Sequence, residues 1–412
     1  MKLSAISLAI SLALAALSLP ALLPAAHAQA GATAPAQTSV THATVVAHYA
    51  TLVHANYQDV HQGALALQTA VNAFLASPSA ATQEAAQKAW RAAREAYGQT
   101  EAFRFYGGPI DSDSGPEGRM NAWPMDESFV DSVKDKPQGG LINNKKFAIN
   151  RKNLIAQNER GGEENIATGW HAIEFFLWGQ DLSDTGPGAR SFEDFVDGKA
   201  PNADRRRLYL KTVMDLLVDD TASLVQAWAP DVKTNYRAKF EKGGKESVRK
   251  MLVGLGSLSR GELAGERLEV ALNSQDQEDE HSCFSDNTHR DAATNAKGIQ
   301  NVWLGSYTRT DGSQVSGPSL KDLVAVNDAA LAEKTSQQIA SSVAAAEAIQ
   351  APFDQEIKGA KDAPGRQRIQ KTIASLTQQS KDLVAAAGAR SEERRVGKEC
   401  QSTCRSRWSP DH

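Results

Sequence analysis

Cysteine is nearly absent from this chain: three in 412 residues, two of which, Cys400 and Cys404, sit close to the C-terminus. The body keeps one, Cys283, so no disulfide framework supports it and apolar packing must hold the core. A surplus of positive charge is also missing. Lys plus Arg number 45 against 49 for Asp plus Glu, a net of −4. That excludes the basic excess phosphate binding demands and argues against nucleic acid as a partner. Aromatic residues make up only 6%, and the 41% apolar share leans on Ala and Leu, both strong helix formers. Charged residues at 23% leave an ordinary globular balance, neither disordered nor collagen-like. There is no convincing period-two strand pattern and no Asn-Gly hairpin. Phosphate-loop, Gly-x-Ser-x-Gly and His-Glu-x-x-His motifs are missing too, and His-x-x-Glu-His fails because Phe175 follows Glu174.

What is there begins with a targeting segment. Met1-Lys2 precedes an apolar run from Leu3 to Leu23, broken by Pro20 and Pro24, and Ala26-His27-Ala28 follows. This is the pattern of a secretory signal peptide cleaved after Ala28, and the prolines and small residues argue against a membrane anchor. Residues 29–40 read as a flexible lead-in. No later segment approaches about 18 unbroken apolar residues. The expectation is an exported, periplasmic protein with no transmembrane segment after cleavage, free or peripherally attached to a membrane. At the other end, residues 390–412 break in composition, with six basic and four acidic residues. Arg390 to Cys400 resembles a recurrent read-through artefact of sequencing or cloning, so this stretch reads as a non-native tail. Its Cys-x3-Cys pair is half a zinc site or a disulfide, which is weak on its own.

The body reads as all-α. From Thr41 to Ala76, apolar residues recur at spacings of three, four and seven, one helix face. Ser77-Pro78-Ser79 stops that helix, and Thr82 is the expected cap of a second, running through Trp90 and Tyr97 to Tyr106 and ended by Gly107-Gly108-Pro109. Ile110 to Asn144 is a long irregular stretch carrying Trp123, Met125 and Phe129, expected to be an ordered loop packed on the body. Helical patterns resume over 145–158, 163–179, 204–228, 244–273, 287–307, 320–350 and 365–387, enough for two helical bundles. Gly254, Gly256, Gly261 and Gly265 within them permit close helix approach. His54 and His61, one heptad apart, read as packing or hydrogen-bonding residues.

One segment stands out chemically. His171 and Glu174 lie three apart on a predicted helix, hence on one face, among Trp170, Ile173, Phe175, Phe176, Leu177 and Trp178. A buried His and carboxylate must pair or hold a metal, so two readings stand: a core His–Glu hydrogen bond, or part of a metal site such as helical bundles build. Two ligands do not make a centre. Further candidates are Glu101 and Arg104 at the end of the second helix, Asp126 in the long loop, and His281, Asp286 and His289 in the dense stretch Glu280 to His289. That stretch reads equally as a polar turn with Asp286 as a helix cap. Residues 100–111 align without gaps to 170–181, setting Glu101 and Arg104 on His171 and Glu174. This echo predicts that the two polar pairs lie together under the long loop.

These residues resemble the imelysin-like family over Thr41 to about Ala389. The carriers are Ala89 to Tyr97, Thr100 to Phe105, Gly108-Pro-Ile-Asp111, Asn121-Ala-Trp-Pro-Met-Asp-Glu127, Gly169 to Gly179 with the family's Gly-x-His-x-x-Glu element, and His281 to Asp286. The iron-regulated branch is nearest, with Met125 where that branch has Leu. The resemblance implies two helical bundles related by a pseudo-twofold and joined by long ordered loops, with halves of about 41–203 and 204–389. It also implies a periplasmic or surface location, a link to iron uptake, and classification with metallopeptidases. The expected function is capture of a divalent metal, iron ahead of zinc, through His171, Glu174, Glu101 and Asp126, with other iron-uptake components as partners. The net negative charge mildly favours cation capture. The alternatives are a metallopeptidase that uses the same motif, and a surface receptor for haem or a partner protein.

Overall fold

The computed structural model describes residues 39–388. The expected signal peptide, nearly all of the lead-in and the basic tail lie outside them. The first helix, α1 (His42–Ala76), opens at a capping box in which Thr41 and Thr44 each accept the other's backbone N–H. Its buried stripe runs through Val45, Tyr49, Leu52, Val53, Tyr57, Val60, Leu67 and Val71. The second, α2 (Ala80–Thr100), is capped by Ser79 rather than Thr82, which sits at the third helical position and bonds back to Ser79. It also ends earlier than the apolar pattern suggests. Glu101–Phe103 form a single 3-10 turn, Arg104 is extended, and Phe105 takes a left-handed φ of 71°. The chain leaves the helix here because Glu101 and Arg104 turn into a buried polar centre.

The expected ordered loop is present as a series of short turns, with four-residue helical pieces at Glu117–Met120, Glu127–Val130 and Gly140–Asn143. Next come α3 (Gly169–Trp178), buried along its whole length, and α4 (Ala203–Ala227). Helix α5 (Lys245–Ser257) passes directly into a twelve-residue π-helix, Leu258–Glu269. Residues five apart are brought together by the wider π winding, and Glu262 and Arg267 accordingly bond at 2.9 Å. Three further long helices follow among the described residues: α6 (Thr288–Leu304), α7 (Ala329–Glu347) and α8 (Pro364–Gly388). The expected helix over 320–350 is split, because Asp328 caps α7 afresh through Leu331 N.

Helix α1 packs against α2 and α4, and α3 lies on α2 and α4; α8 packs on α5, α7 and the π segment, and α6 on α7. Thus α4, which a boundary at 203/204 would assign to the second half, joins the first group of helices. The groups meet where α2 crosses α6. A methyl group on Gly298 would overlap the Gln99 carbonyl, and the Asn295 amide donates to Gly98 O at 3.1 Å. Gly254 likewise brings α5 to the Arg104 carbonyl, where a Cβ would stand 2.9 Å away. Among the described residues the structure is all-α apart from one small hairpin, Ser306–Thr308 paired with Gln314–Ser316. Its turn uses Asp311 and Gly312, the glycine at φ 85°. Asp59 of α1 secures it by accepting from Tyr307, Arg309 and Thr310 N. No helix among the described residues is long and apolar enough to cross a membrane.

Candidate functional site

Helix α3 begins with a residue that only glycine can supply. Gly169 has φ 87°, and a Cβ there would overlap the Met120 carbonyl and stand 2.7 Å from that of Arg119. Absence of a side chain lets the long loop lie directly on the start of α3. Two and five residues later, His171 and Glu174 face one another on the same side of the helix. His171 Nδ1 and Glu174 Oε2 share a hydrogen bond of 2.9 Å, and neither side chain has any exposure. The other Glu174 oxygen accepts from Ser285 N at 3.0 Å and Ser285 Oγ at 2.6 Å. Burial pushes the Glu174 carboxyl up to about 8, with Ser285 pulling it back. No arginine among the described residues bonds this carboxylate.

The remaining nitrogen, His171 Nε2, is buried with no hydrogen-bond partner among the described residues. It belongs to a ring enclosed by Trp123, 4.8 Å between centroids, and His281, also 4.8 Å. Burial holds the His171 imidazole well below its ordinary pKa, reinforced by His281 and Arg94. His281 is pushed down to about 4 by burial and by Arg267. Both rings are therefore neutral at neutral pH, the form that binds metals.

Around this core runs a network of ion pairs. Arg94 donates to Asn121 Oδ1 at 2.6 Å and to Asp291 Oδ1 at 2.9 Å. Asp291 also bonds His281 Nδ1 at 2.9 Å. Asn121 Nδ2 lies 3.4 Å from His281 Nε2 and donates to Glu101 Oε1 at 3.2 Å. Glu101 Oε2 accepts from Arg104 at 2.5 Å and from Arg267 at 3.0 Å. Burial would raise the Glu101 carboxyl, but Arg104 and Arg267 outweigh it and hold it at about 2. Arg104 reaches on to Glu117 at 2.7 Å. Glu101 is linked to His171 by a chain of contacts through Asn121 and His281.

Other expected site residues are placed differently. Asp126 accepts from Ser128 N at 2.9 Å and its own N–H donates to Glu164 O at 2.7 Å. The loop meets the His171 ring through Trp123 and reaches the network through Asn121. Asp286 does not cap α6; it sits at φ 54°, outside the His171 network. His289 bonds the Asp286 carbonyl at 3.1 Å. Arg94, Asn121, Arg267, Ser285 and Asp291 were not singled out by sequence. Arg94 had a signal: it lies four residues after Trp90 and seven before Glu101, on the buried stripe of α2.

Fold and site define an all-α protein with a sealed His–carboxylate centre where two helix groups meet. The sequence model of the imelysin family matches residues 53–383, and the chain belongs to that family. "Iron-regulated protein A" of Synechococcus elongatus is 26% identical over 350 residues, spanning 83% of this chain and 85% of the relative. A crystal structure assigned as an iron-regulated protein A precursor from Parabacteroides distasonis superposes with a TM-score of 0.69 at 22% identity. It covers 87% of this chain and 97% of its own, and it shares the fold.

Proposed function

We propose that this is an exported, periplasmic metal-binding protein of iron uptake in which His171 is the central ligand and Glu174 orients it. The observation that carries the reading is the unpartnered, fully buried His171 Nε2. A metal-ligating histidine generally donates its other ring N–H to a carboxylate, which fixes tautomer and ring orientation. His171, Glu174 and Ser285 form such a relay, with Glu174 engaged on both oxygens. The role expected for Glu174 as a direct ligand therefore becomes a supporting one. His281 is the neighbouring imidazole, its ring 4.8 Å from that of His171, and its Nε2 would exchange the Asn121 amide for the metal. Glu101 is better explained by its two guanidiniums than by a metal. Imidazole donors suit iron, zinc and copper, and the iron connection rests on the names of the similar proteins. Other iron-uptake components fit as partners.

Cleavage of peptides is less well supported, because His171 and Glu174 are sealed under Trp123 and a scissile bond must reach the metal. The test is thermal melting of the mature protein with Fe(II), Zn(II) or chelator. Metal at a hundredfold over its dissociation constant should stabilise by about 2.7 kcal/mol. His171→Ala should abolish that gain, and Glu174→Gln should weaken it. A wild type without any metal-dependent shift sinks the reading and leaves the pair as a structural hydrogen bond.

A further inference from the structure

Asp286 leads to a second cluster, apart from the His171 network. It meets Asp181, in the loop after α3, and Asp354, in the short helix Phe353–Ile357. One carboxylate oxygen from each lies within 4.8 Å of the other two. All three side chains are buried, and Asp181 Oδ2, Asp286 Oδ1 and Asp354 Oδ2 accept no hydrogen bond from an N–H or hydroxyl among the described residues; what reaches Asp286 are the other two carboxyls. A separate observation concerns Glu280. Its side chain has no exposure and neither of its carboxylate oxygens is hydrogen-bonded. Burial above all, then Asp354 and Asp286, holds its carboxyl well above the ordinary range, with Thr288 pulling it back and Asp181 adding to the rise. Glu280 is thus a buried carboxylate facing three others.

Such a group of acids is costly unless a cation sits among them. Arg91 and Lys358 act on Asp286 and Asp354 through space, but their bonds go elsewhere: Lys358 pairs with Asp184, and Arg91 donates to the Ser285 carbonyl. We propose that Asp181, Asp286 and Asp354 bind a hard, oxygen-preferring divalent cation of the calcium class, with Glu280 adding to the negative field that draws the cation in. The dimensions fit. Calcium sits about 2.3–2.6 Å from each oxygen, which keeps its ligand oxygens within about 5.2 Å of one another, a bound the three carboxylates meet; magnesium gives up its waters reluctantly and is usually held by one or two carboxylates, so three converging ones favour calcium. Access is open on the Asp286 side, where a cavity of about 570 Å³ is lined by Arg91, Pro187, Asp286, His289 and Pro352.

The experiment is calorimetric titration and thermal melting of the chelator-stripped full chain with CaCl2 and with MgCl2. Calcium should raise the melting temperature of the wild type. Asp181→Asn and Asp354→Asn are isosteric and remove repulsion, so each should fold and melt above the cation-free wild type. Each should weaken calcium binding by more than about tenfold, a loss that outer-sphere changes alone can reach. Absence of heat and of a melting shift at millimolar calcium would overturn the proposal. So would a response that survives Asp354→Asn undiminished, or an equal response to magnesium.

Discussion

Glu101→Gln tests whether the centre is held by charge. The substitution keeps the shape of a side chain that is 1% exposed and removes one negative charge shared by Arg104 and Arg267. In the folded protein the carboxyl is held at about 2 against an ordinary 4.5, a gap worth about 3 kcal/mol at 1.36 kcal/mol per pH unit. Breaking a buried pair by removing one partner independently suggests about 3–5 kcal/mol. Glu117 and Glu262 still bond the two arginines afterwards, which favours the lower figure. The sign follows from the depressed value. The ionised form is favoured in the folded state, so its stabilisation is complete above about pH 4.5 and is lost as pH falls through about 2. Urea unfolding of both proteins should show a deficit of about 3 kcal/mol at pH 7, shrinking to about half near pH 3. A deficit below about 1 kcal/mol, or one equally large at both pH values, would refute an electrostatic role and point to packing alone.

Gly169→Ala should cost at least about 1–3 kcal/mol of stability, from a left-handed φ and an overlap with the Met120 carbonyl; a urea midpoint unchanged from wild type would show that the loop can withdraw. Ser285→Ala removes the 2.6 Å hydroxyl bond to Glu174 but keeps the backbone one; metal affinity at His171 should fall about 10–100-fold, and an unaltered titration would remove Ser285 from the relay. Asp59→Asn takes the charge from a carboxylate that bonds Tyr307, Arg309 and Thr310 N. It should destabilise by about 1.5–3 kcal/mol, with hydrogen exchange of the 306–316 hairpin accelerating first; unchanged exchange there would contradict the clamp.

Most helices were legible because periodicity and caps are local. Thr41 marks the start of α1 by a capping box written in adjacent residues, and the apolar stripe of α1 follows the 3.6-residue repeat. Departures occur where a distant partner overrides the local pattern. The helix expected to reach Tyr106 ends at Thr100 because Arg104 must turn toward Glu117, thirteen residues on. The segment 244–273 keeps a helical pattern, yet its middle winds as a π-helix that aligns Glu262 with Arg267, and both with Glu101. The hairpin at 306–316 was hidden by strands of three residues, too short for a period-two signal, although Asp311-Gly312 marked its turn.

The site divides along the same physical line. His171 and Glu174 were readable as a pair because three residues on a helix are one turn apart, and their apolar neighbours announced burial. The long loop was rightly associated with them, but its acidic residue drew attention while Asn121 and Trp123 make the contacts. A carboxylate two residues before a backbone N–H is satisfied locally, as Asp126 is by Ser128; an amide and an indole find their partners only in three dimensions. The stretch from Glu280 to Asp291 shows what sequence density can and cannot tell. Its richness in His and acids is real, yet one chain segment serves opposite directions: His281 and Asp291 face the arginine network, Ser285 grips Glu174, and Glu280 and Asp286 face Asp181 and Asp354. Local spacing could not sort these, since neighbours in a turn point to different faces. Asp354 lies 68 residues beyond Asp286 in a short helix with no pattern of its own, so only the packing of that helix brings the third carboxylate to the other two.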